Sequence, residues 1–362
     1  MKIFFFIVIV MHGLLHLVGF IKSFNLIELS ELTNPIPRFQ GVLWLITSLM
    51  LFICLYGLWY DYHWWWMMAI PAVVISQTLI ILDWNEASIG TVANIIVLVA
   101  ILFGYAQWNF TNIVEREVRT ITTDKPDIQH QADTVAINNL PKPVAQWLER
   151  SGAAQRNIPR VAVAEQKGKL RTSKDGKWME ITAKQWINPY EPGFVWKAWV
   201  SAGPGIHLSG MDKYYEGKGR MWIQLLSLIS VVDEEGPETD QGSALRFLGE
   251  IAWIPGAAVL PFIHWEEIDS TSARANFSYG DVETSGVFHF DEKGDLSGFE
   301  ALRYFKEGDE FSLKNWIIEA EQGKFLEFDG FRIPSHFKVS WDLQDGRFTW
   351  LEMNLTKLTY QY

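Results

Sequence analysis

The hydrophobic and polar positions divide the chain into two unlike parts. In the first, the runs 3–21, 41–60, 64–82 and 88–108 contain no Asp, Glu, Lys or Arg. Each is long enough, at about 1.5 Å per residue, to cross roughly 30 Å of hydrocarbon as a helix. The first run is too long for the core of a signal peptide and no small-x-small cleavage site follows it, so it reads as a retained helix. Trp59, Tyr60, Tyr62 and Trp64 to Trp66 flank one turn, with Trp84, Tyr105 and Trp108 at other helix ends, as interfacial aromatic belts require.

Beyond residue 110 the pattern changes. Residues 109–139 turn polar and read as a helix end running into a linker. Residues 140–152 open with prolines, space Val144, Trp147 and Leu148 helically and stop at Gly152. Period-2 alternation then predicts strands at 160–171, 177–187, 194–201, 206–216, 219–232, 272–279, 284–290, 298–305, 324–328, 335–342 and 347–359. Turn residues at Lys174-Asp-Gly, Glu216-Gly-Lys-Gly, Asp291-Glu-Lys-Gly, Asp329-Gly and Asp345-Gly separate several of them. The stretch 239–260 breaks the alternation and predicts a helix capped by Asp240 and stopped by Pro255. The expected architecture is an α-helical membrane bundle of four transmembrane helices (1–110), a linker (111–139) and a mainly antiparallel β soluble domain (140–362). That domain is read as a curved sheet or half-barrel with one or two packed helices.

Charge refines this picture. Residues 1–110 carry three basic and five acidic side chains, the remainder 28 and 37. An acidic domain without a basic face repels phosphate backbones, which argues against a nucleic-acid partner. Four crossings put both ends of the bundle on one side of a bilayer. Lys2, Arg116, Arg119 and Lys125 against Lys22 and Arg38 lean toward a cytoplasmic β domain on an inner, multi-pass membrane protein, and a change of one crossing would reverse it. The lone Cys54 excludes an internal disulfide and a cysteine metal site in the monomer.

Candidate chemistry is sparse. His12 and His16 share a helix face, a spacing that suits a metal or haem; the plainer reading is that they bond to neighbouring helices through partners such as Ser48, Gln77 or Asn94. Arg246 and Glu250 stand one turn apart in an otherwise apolar helix and can pair. Asp212, Tyr214, Arg303 and Tyr304 are possible partners from facing strands, with Trp253 beside them. His207, His264, His289 and His336 have no metal-ligand spacing, and neither a phosphate loop nor a Gly-x-Ser-x-Gly elbow occurs. No cofactor is indicated.

The runs Met11-His-Gly-Leu-Leu-His-Leu-Val-Gly-Phe, Gly210-Met-Asp-Lys-Tyr, Arg246-Phe-Leu-Gly-Glu-Ile-Ala-Trp-Ile-Pro, Trp265-Glu-Glu-Ile-Asp and Gly330-Phe-Arg-Ile-Pro-Ser resemble an uncharacterised family of bacterial membrane proteins. The resemblance spans most of the chain and implies no activity. The β domain is similar in expected architecture to lipoprotein-localisation and lipid-carrier sheets, an analogy of fold rather than function. Three readings follow: a carrier of a lipid, lipoprotein or other apolar ligand, with a cavity of several hundred Å³; a membrane enzyme using Glu250 or Asp212 as acid or base and Arg303 as charge partner; or a structural or sensory scaffold.

Overall fold

The structure is a computed structural model that describes residues 2–27, 35–123, 131–308 and 310–362. Lys125, with the rest of 124–130 in the expected linker, lies outside the described residues. The chain divides into two compact units, one running to Thr111 and including Leu226–Leu228, the other made of Asn112–Leu225 and Ile229–Tyr362.

The first unit holds α1 (Lys2–Ser23), α2 (Arg38–Trp59), α3 (Trp65–Leu82), the single turn α4 (Trp84–Ala87) and the apolar part of α5 (Gly90–Thr122). The four longer helices are each long and apolar enough to cross a membrane. Small residues let them approach. A Cβ on Gly19 would stand 2.5 Å from the Trp44 ring, and one on Gly13 would stand 3.3 Å from Phe52. Lys2 pairs with Asp61 at 2.7 Å and Lys22 with Glu86 at 2.9 Å, so each end of α1 is tied to a later helix connection.

The second unit is built on a 13-stranded antiparallel sheet. Its strands are β1 (Val161–Leu170), β2 (Met179–Asn188), β3 (Gly193–Gly203), β4 (Ile206–Tyr215), β5 (Lys218–Leu225), β6 (Ile229–Glu235), β7 (Ile263–Asp269), β8 (Ser272–Tyr279), β9 (Val282–Phe290), β10 (Leu296–Glu307) and β11 (Glu310–Ala320). A small hairpin, β12 (Phe325–Phe328) with β13 (Phe331–Pro334), precedes β14 (His336–Leu343) and β15 (Gly346–Gln361). The order is β6-β5-β4-β3-β2-β1-β15-β14-β11-β10-β9-β8-β7. It is a curled half-barrel made of two meanders joined where β15 pairs β1.

Short helices α6 (Thr134–Asn138) and α7 (Lys142–Arg150) precede the sheet, and α8 (Pro237–Glu250) connects its two edge strands. Because α8 must travel from β6 to β7, it lies across one face of the sheet, packed on β4, β5, β6, β8, β9 and β10. That face holds the core: Phe194, Tyr214, Phe247, Phe277, Phe288 and Phe299 are all at most 2 % exposed.

Three sequence expectations change here. The strand expected at 219–232 is two, β5 and β6, because Leu226 and Ser227 take φ of 55° and 58° and turn the chain with neither glycine nor asparagine. The expected N-cap Asp240 lies inside α8, whose cap position is Gly236; its carboxylate instead accepts the Gly219 N–H at 2.7 Å and pairs Lys218 at 3.0 Å. Pro255 does not stop α8, which ends at Glu250, but opens a 3-10 turn at Pro255–Val259.

Asp295 ties α7 to β13. It accepts two hydrogen bonds from Arg332, at 2.9 and 3.0 Å, and two from Arg150, at 3.2 and 3.3 Å. Burial alone would raise its pKa, but the two guanidiniums outweigh it and hold the carboxyl below its usual range. A depressed carboxylate stabilises the fold above its unfolded pKa of about 3.9 and ceases to do so as pH falls through the folded value. Asp295→Asn is expected to cost about 1–2 kcal/mol at neutral pH, since both arginines remain in reach of water, and to flatten the acid limb of stability below about pH 4. Urea midpoints between pH 3 and 7 check this; an unchanged acid limb would remove Asp295 from that role.

Candidate functional site

The site lies where the C-terminal turn of α8 meets the sheet. Arg246 and Glu250 occupy one face of α8 by the i, i+4 spacing, and the Arg246 Nε donates to Glu250 Oε1 at 2.8 Å. Register brings Asp212 to the same place: it pairs Trp196 on β3 and Met221 on β5, and its Oδ2 accepts from Arg246 Nη1 at 2.6 Å. Gln185 of β2 donates to Glu250 Oε2 at 2.5 Å, and Trp196 Nε1 donates to Gln166 Oε1 at 2.9 Å. The Arg246 guanidinium also lies 4.8 Å from the Phe194 ring centre and 4.7 Å from that of Trp196. The side chains of Asp212, Arg246 and Glu250 retain only 22, 15 and 11 % of their exposure.

Burial raises the Asp212 pKa despite the nearby arginines. Burial would lower that of Arg246, but Glu250 and Asp212 outweigh it and raise it. Both Glu250 oxygens already accept hydrogen bonds. The group therefore fixes α8 to β2 and β4.

Arg303 of β10 belongs to the same electrostatic group but is held differently. Its guanidinium lies 4.5 Å from the Trp316 ring centre and 5.8 Å from that of Trp341. It makes no hydrogen bond or ion pair with another described residue, and remains partly exposed. Burial and repulsion from Arg246 push its pKa down to about 10, so it stays charged at neutral pH. Space for it depends on Gly242, where a Cβ would come 2.9 Å from its Nε.

The other expected residues lie elsewhere. Tyr214 is fully buried between Phe194 and Phe247 in the core, its hydroxyl without a partner among the described residues. Trp253 packs edge-on against Phe337, and its carbonyl accepts the Tyr360 hydroxyl at 2.7 Å. Tyr304, next to Arg303 on the strand, faces the other way and meets Phe311. Trp196 and Trp199, three apart on β3, face opposite sides: Trp196 joins the site, and Trp199 stacks on His207 at 3.6 Å.

Gln185 and Gln166 were not singled out from sequence. The signal for Gln185 was available, since a glutamine at the inward position of Ile181-Thr-Ala-Lys-Gln-Trp-Ile must find a buried partner. In the helical unit, His12 and His16 bond to Ser76 and Asn94, with Nε2 contacts of 2.8 to 3.1 Å. Of the partners expected from sequence only Asn94 is among them; Ser48 instead bonds the Gly13 carbonyl, and Gln77 bonds Asn94 and Thr91. No cluster of three His, Cys, Asp or Glu side chains suited to a metal occurs among the described residues.

A cavity of about 260 Å³ opens among His289, Glu300, Glu319 and Arg347, on the sheet face opposite Arg303, and its lining is charged. An apolar pocket at Ile158, Ile254, Phe331 and Tyr360 has no room for a water molecule. The α8 face does carry a second apolar cluster beside Trp196, formed by Ile181, Ala183, Ala198, Val200 and Met353 with the partly buried Leu170, Met179, Leu208 and Leu351.

Two solved structures are similar over much of the chain. One is a candidate outer membrane lipoprotein-sorting protein domain from Vibrio parahaemolyticus, at 11 % identity and a TM-score of 0.34, covering 56 % of this chain and 85 % of that one. The other is a DUF1329 family protein from Desulfovibrio piger, at 8 % identity and a TM-score of 0.34, covering 64 % and 94 %. Likeness at that level carries no argument about activity. No functionally curated protein matches the sequence. Residues 130–353, more than half of the chain, match the model of DUF6544, a family of unknown function, and the chain belongs to that family.

Proposed function

We propose that this is a membrane-anchored binding protein whose β domain takes an amphipathic anion, a lipid or the acyl portion of a lipoprotein, on the face crossed by α8. The head group meets Arg303, and the apolar part runs along the cluster of Ile181, Val200, Leu208 and Met353. The observation that carries this reading is Arg303 itself: a charged guanidinium set against two indoles, with its N–H donors unclaimed by any described residue. Partly exposed and charged, those donors are open to a carboxylate or phosphate, which takes them with two parallel hydrogen bonds. The four long apolar helices support the anchoring.

Full-length protein purified from membranes and exchanged through detergent is expected to retain an anionic lipid in near-stoichiometric amount. Arg303→Gln should lose most of it, and Arg303→Lys, which keeps the charge but not the fork, should lose part. Equal lipid in wild type and Arg303→Gln, measured by mass spectrometry of the extract, would overturn the reading.

A further inference from the structure

The meander β1 to β6 has two unlike ends. At one, the β4–β5 turn Glu216-Gly-Lys-Gly-Arg and the β2–β3 turn around Glu191 are charged. At the other, the β3–β4 and β5–β6 hairpins are neighbours, since Leu208 pairs Leu225. No Asp, Glu, Lys or Arg occurs between Lys197 and Asp212, or between Arg220 and Asp233. Ile206, Leu228, Ile229 and Val231 on these hairpins are 48, 46, 57 and 52 % exposed. So long a charge-free stretch with exposed aliphatic side chains is out of place in an acidic, water-facing domain.

The β5–β6 turn adds a second observation. The turns at Glu216-Gly217 and Asp329-Gly330 reach left-handed backbone with a glycine, whereas Leu226 and Ser227 reach it without one. A leucine is a poor choice for that conformation on backbone grounds. What it supplies is apolar surface at the tip.

A third observation gives direction. The C-terminal part of α5 packs on the sheet: Glu115 approaches Lys197, Glu117 pairs Lys213 at 2.9 Å, and the Ile121 carbonyl accepts from Asn188 at 2.9 Å. Moving back along α5 from Ile121 to Glu115, toward its apolar stretch, is therefore moving along β3 toward the hairpin tips. On the same end, the β1–β2 connection carries Arg171, Lys177 and Lys174, the last paired with Asp345 of the β14–β15 turn, beside Trp178, with Arg171 lying 4.8 Å from that ring centre. Basic side chains with an indole are the residues that settle among lipid head groups.

We infer that the β3–β4 and β5–β6 hairpin tips dip into the surface of the lipid bilayer, with the β1–β2 connection on the head groups beside them. This rests on the reading of the four long helices as membrane spans. It also brings the end of the sheet that holds Leu170, Met179 and Leu208 to the lipid, so that a ligand would enter the β domain without crossing water.

The test uses the full chain in phosphatidylcholine vesicles, with Cys54→Ala as background and single cysteines at Ile206, Ile229, Leu326 and Leu49, each carrying an environment-sensitive fluorophore. Leu326, in the β12–β13 hairpin at the other end of the sheet, is the water-exposed control, and Leu49, exposed on α2, is the span control. With lipids bearing a nitroxide near the head group for the hairpin probes, and lipids bearing one at mid-chain for Leu49, the Ile206 and Ile229 probes are expected to be strongly quenched and to emit to the blue of Leu326, which should be unchanged. If Leu49 is quenched while Ile206 and Ile229 behave as Leu326 does, the tips are in water and the inference fails alone. If Leu49 is not quenched either, the spans are misread and the inference falls with them.

Discussion

Replacing Arg246 by methionine is expected to destabilise the β domain by about 3–5 kcal/mol, the usual cost of leaving buried charge without its partner. Methionine keeps much of the packing on Phe194 and Trp196, so the loss reports the guanidinium and not the volume. Asp212 and Glu250 would then share one enclosed site without a cation between them, and the Asp212 pKa, already raised by burial, should rise further. A carboxyl whose folded pKa is raised gives stability that is present below its unfolded pKa and lost as pH rises through the folded value. The variant should therefore approach the wild type near pH 4, close to the unfolded aspartate value of about 3.9, and separate from it toward neutrality. Equilibrium unfolding followed by tryptophan fluorescence at several pH values measures this. A small, pH-independent loss would mean that water already reaches the pair.

Phe288→Ala should cost a similar amount, about 3–5 kcal/mol, through a different mechanism. The ring is 0 % exposed and meets Trp147 at 5.9 Å, Trp265 at 5.0 Å and Phe299 at 4.9 Å. It is the point at which α7 rests on the sheet, so truncation leaves a cavity bounded by three aromatic rings that cannot all move inward. Phe288→Leu should cost less, and hydrogen exchange should show the protection of α7 falling first in the alanine variant. Equal protection of α7 in both proteins would place its docking elsewhere.

Much of this architecture is written locally. The apolar runs predict α1, α2, α3 and the first part of α5 to within a few residues, because an unbroken stretch without charge has few other ways to satisfy its backbone. Most strands of the sheet follow from alternation for a similar reason. Two were passed over: β7 is an edge strand whose Glu266-Glu267-Ile268-Asp269 is mostly exposed, and β11 mixes charged with apolar positions. The β5–β6 turn was missed because Leu226-Ser227 carries no turn residue.

At the site, the spacing of Arg246 and Glu250 is enough to expect their pairing. Which strand residues oppose them depends on register across β2, β3 and β4, which is a property of the whole sheet. Asp212 could be named as a candidate, but the roles of Gln185, Trp196 and the indoles around Arg303 could not be read from their neighbours in sequence. Tyr214 and Trp253 looked alike as polar aromatics and proved to be core.

The seam between β1 and β15 has a kinetic consequence. Thr356 bonds the Glu165 carbonyl across 191 residues, and this pairing is in the middle of the sheet, not at an edge. Until it forms, β1 and β15 each present an open row of backbone donors and acceptors, and the two meanders are separate ribbons joined through α8. Closure of so long a loop makes this the slow step of assembly. During synthesis β1 must wait for almost the whole domain to emerge, and in that interval it is the segment most open to pairing with another chain.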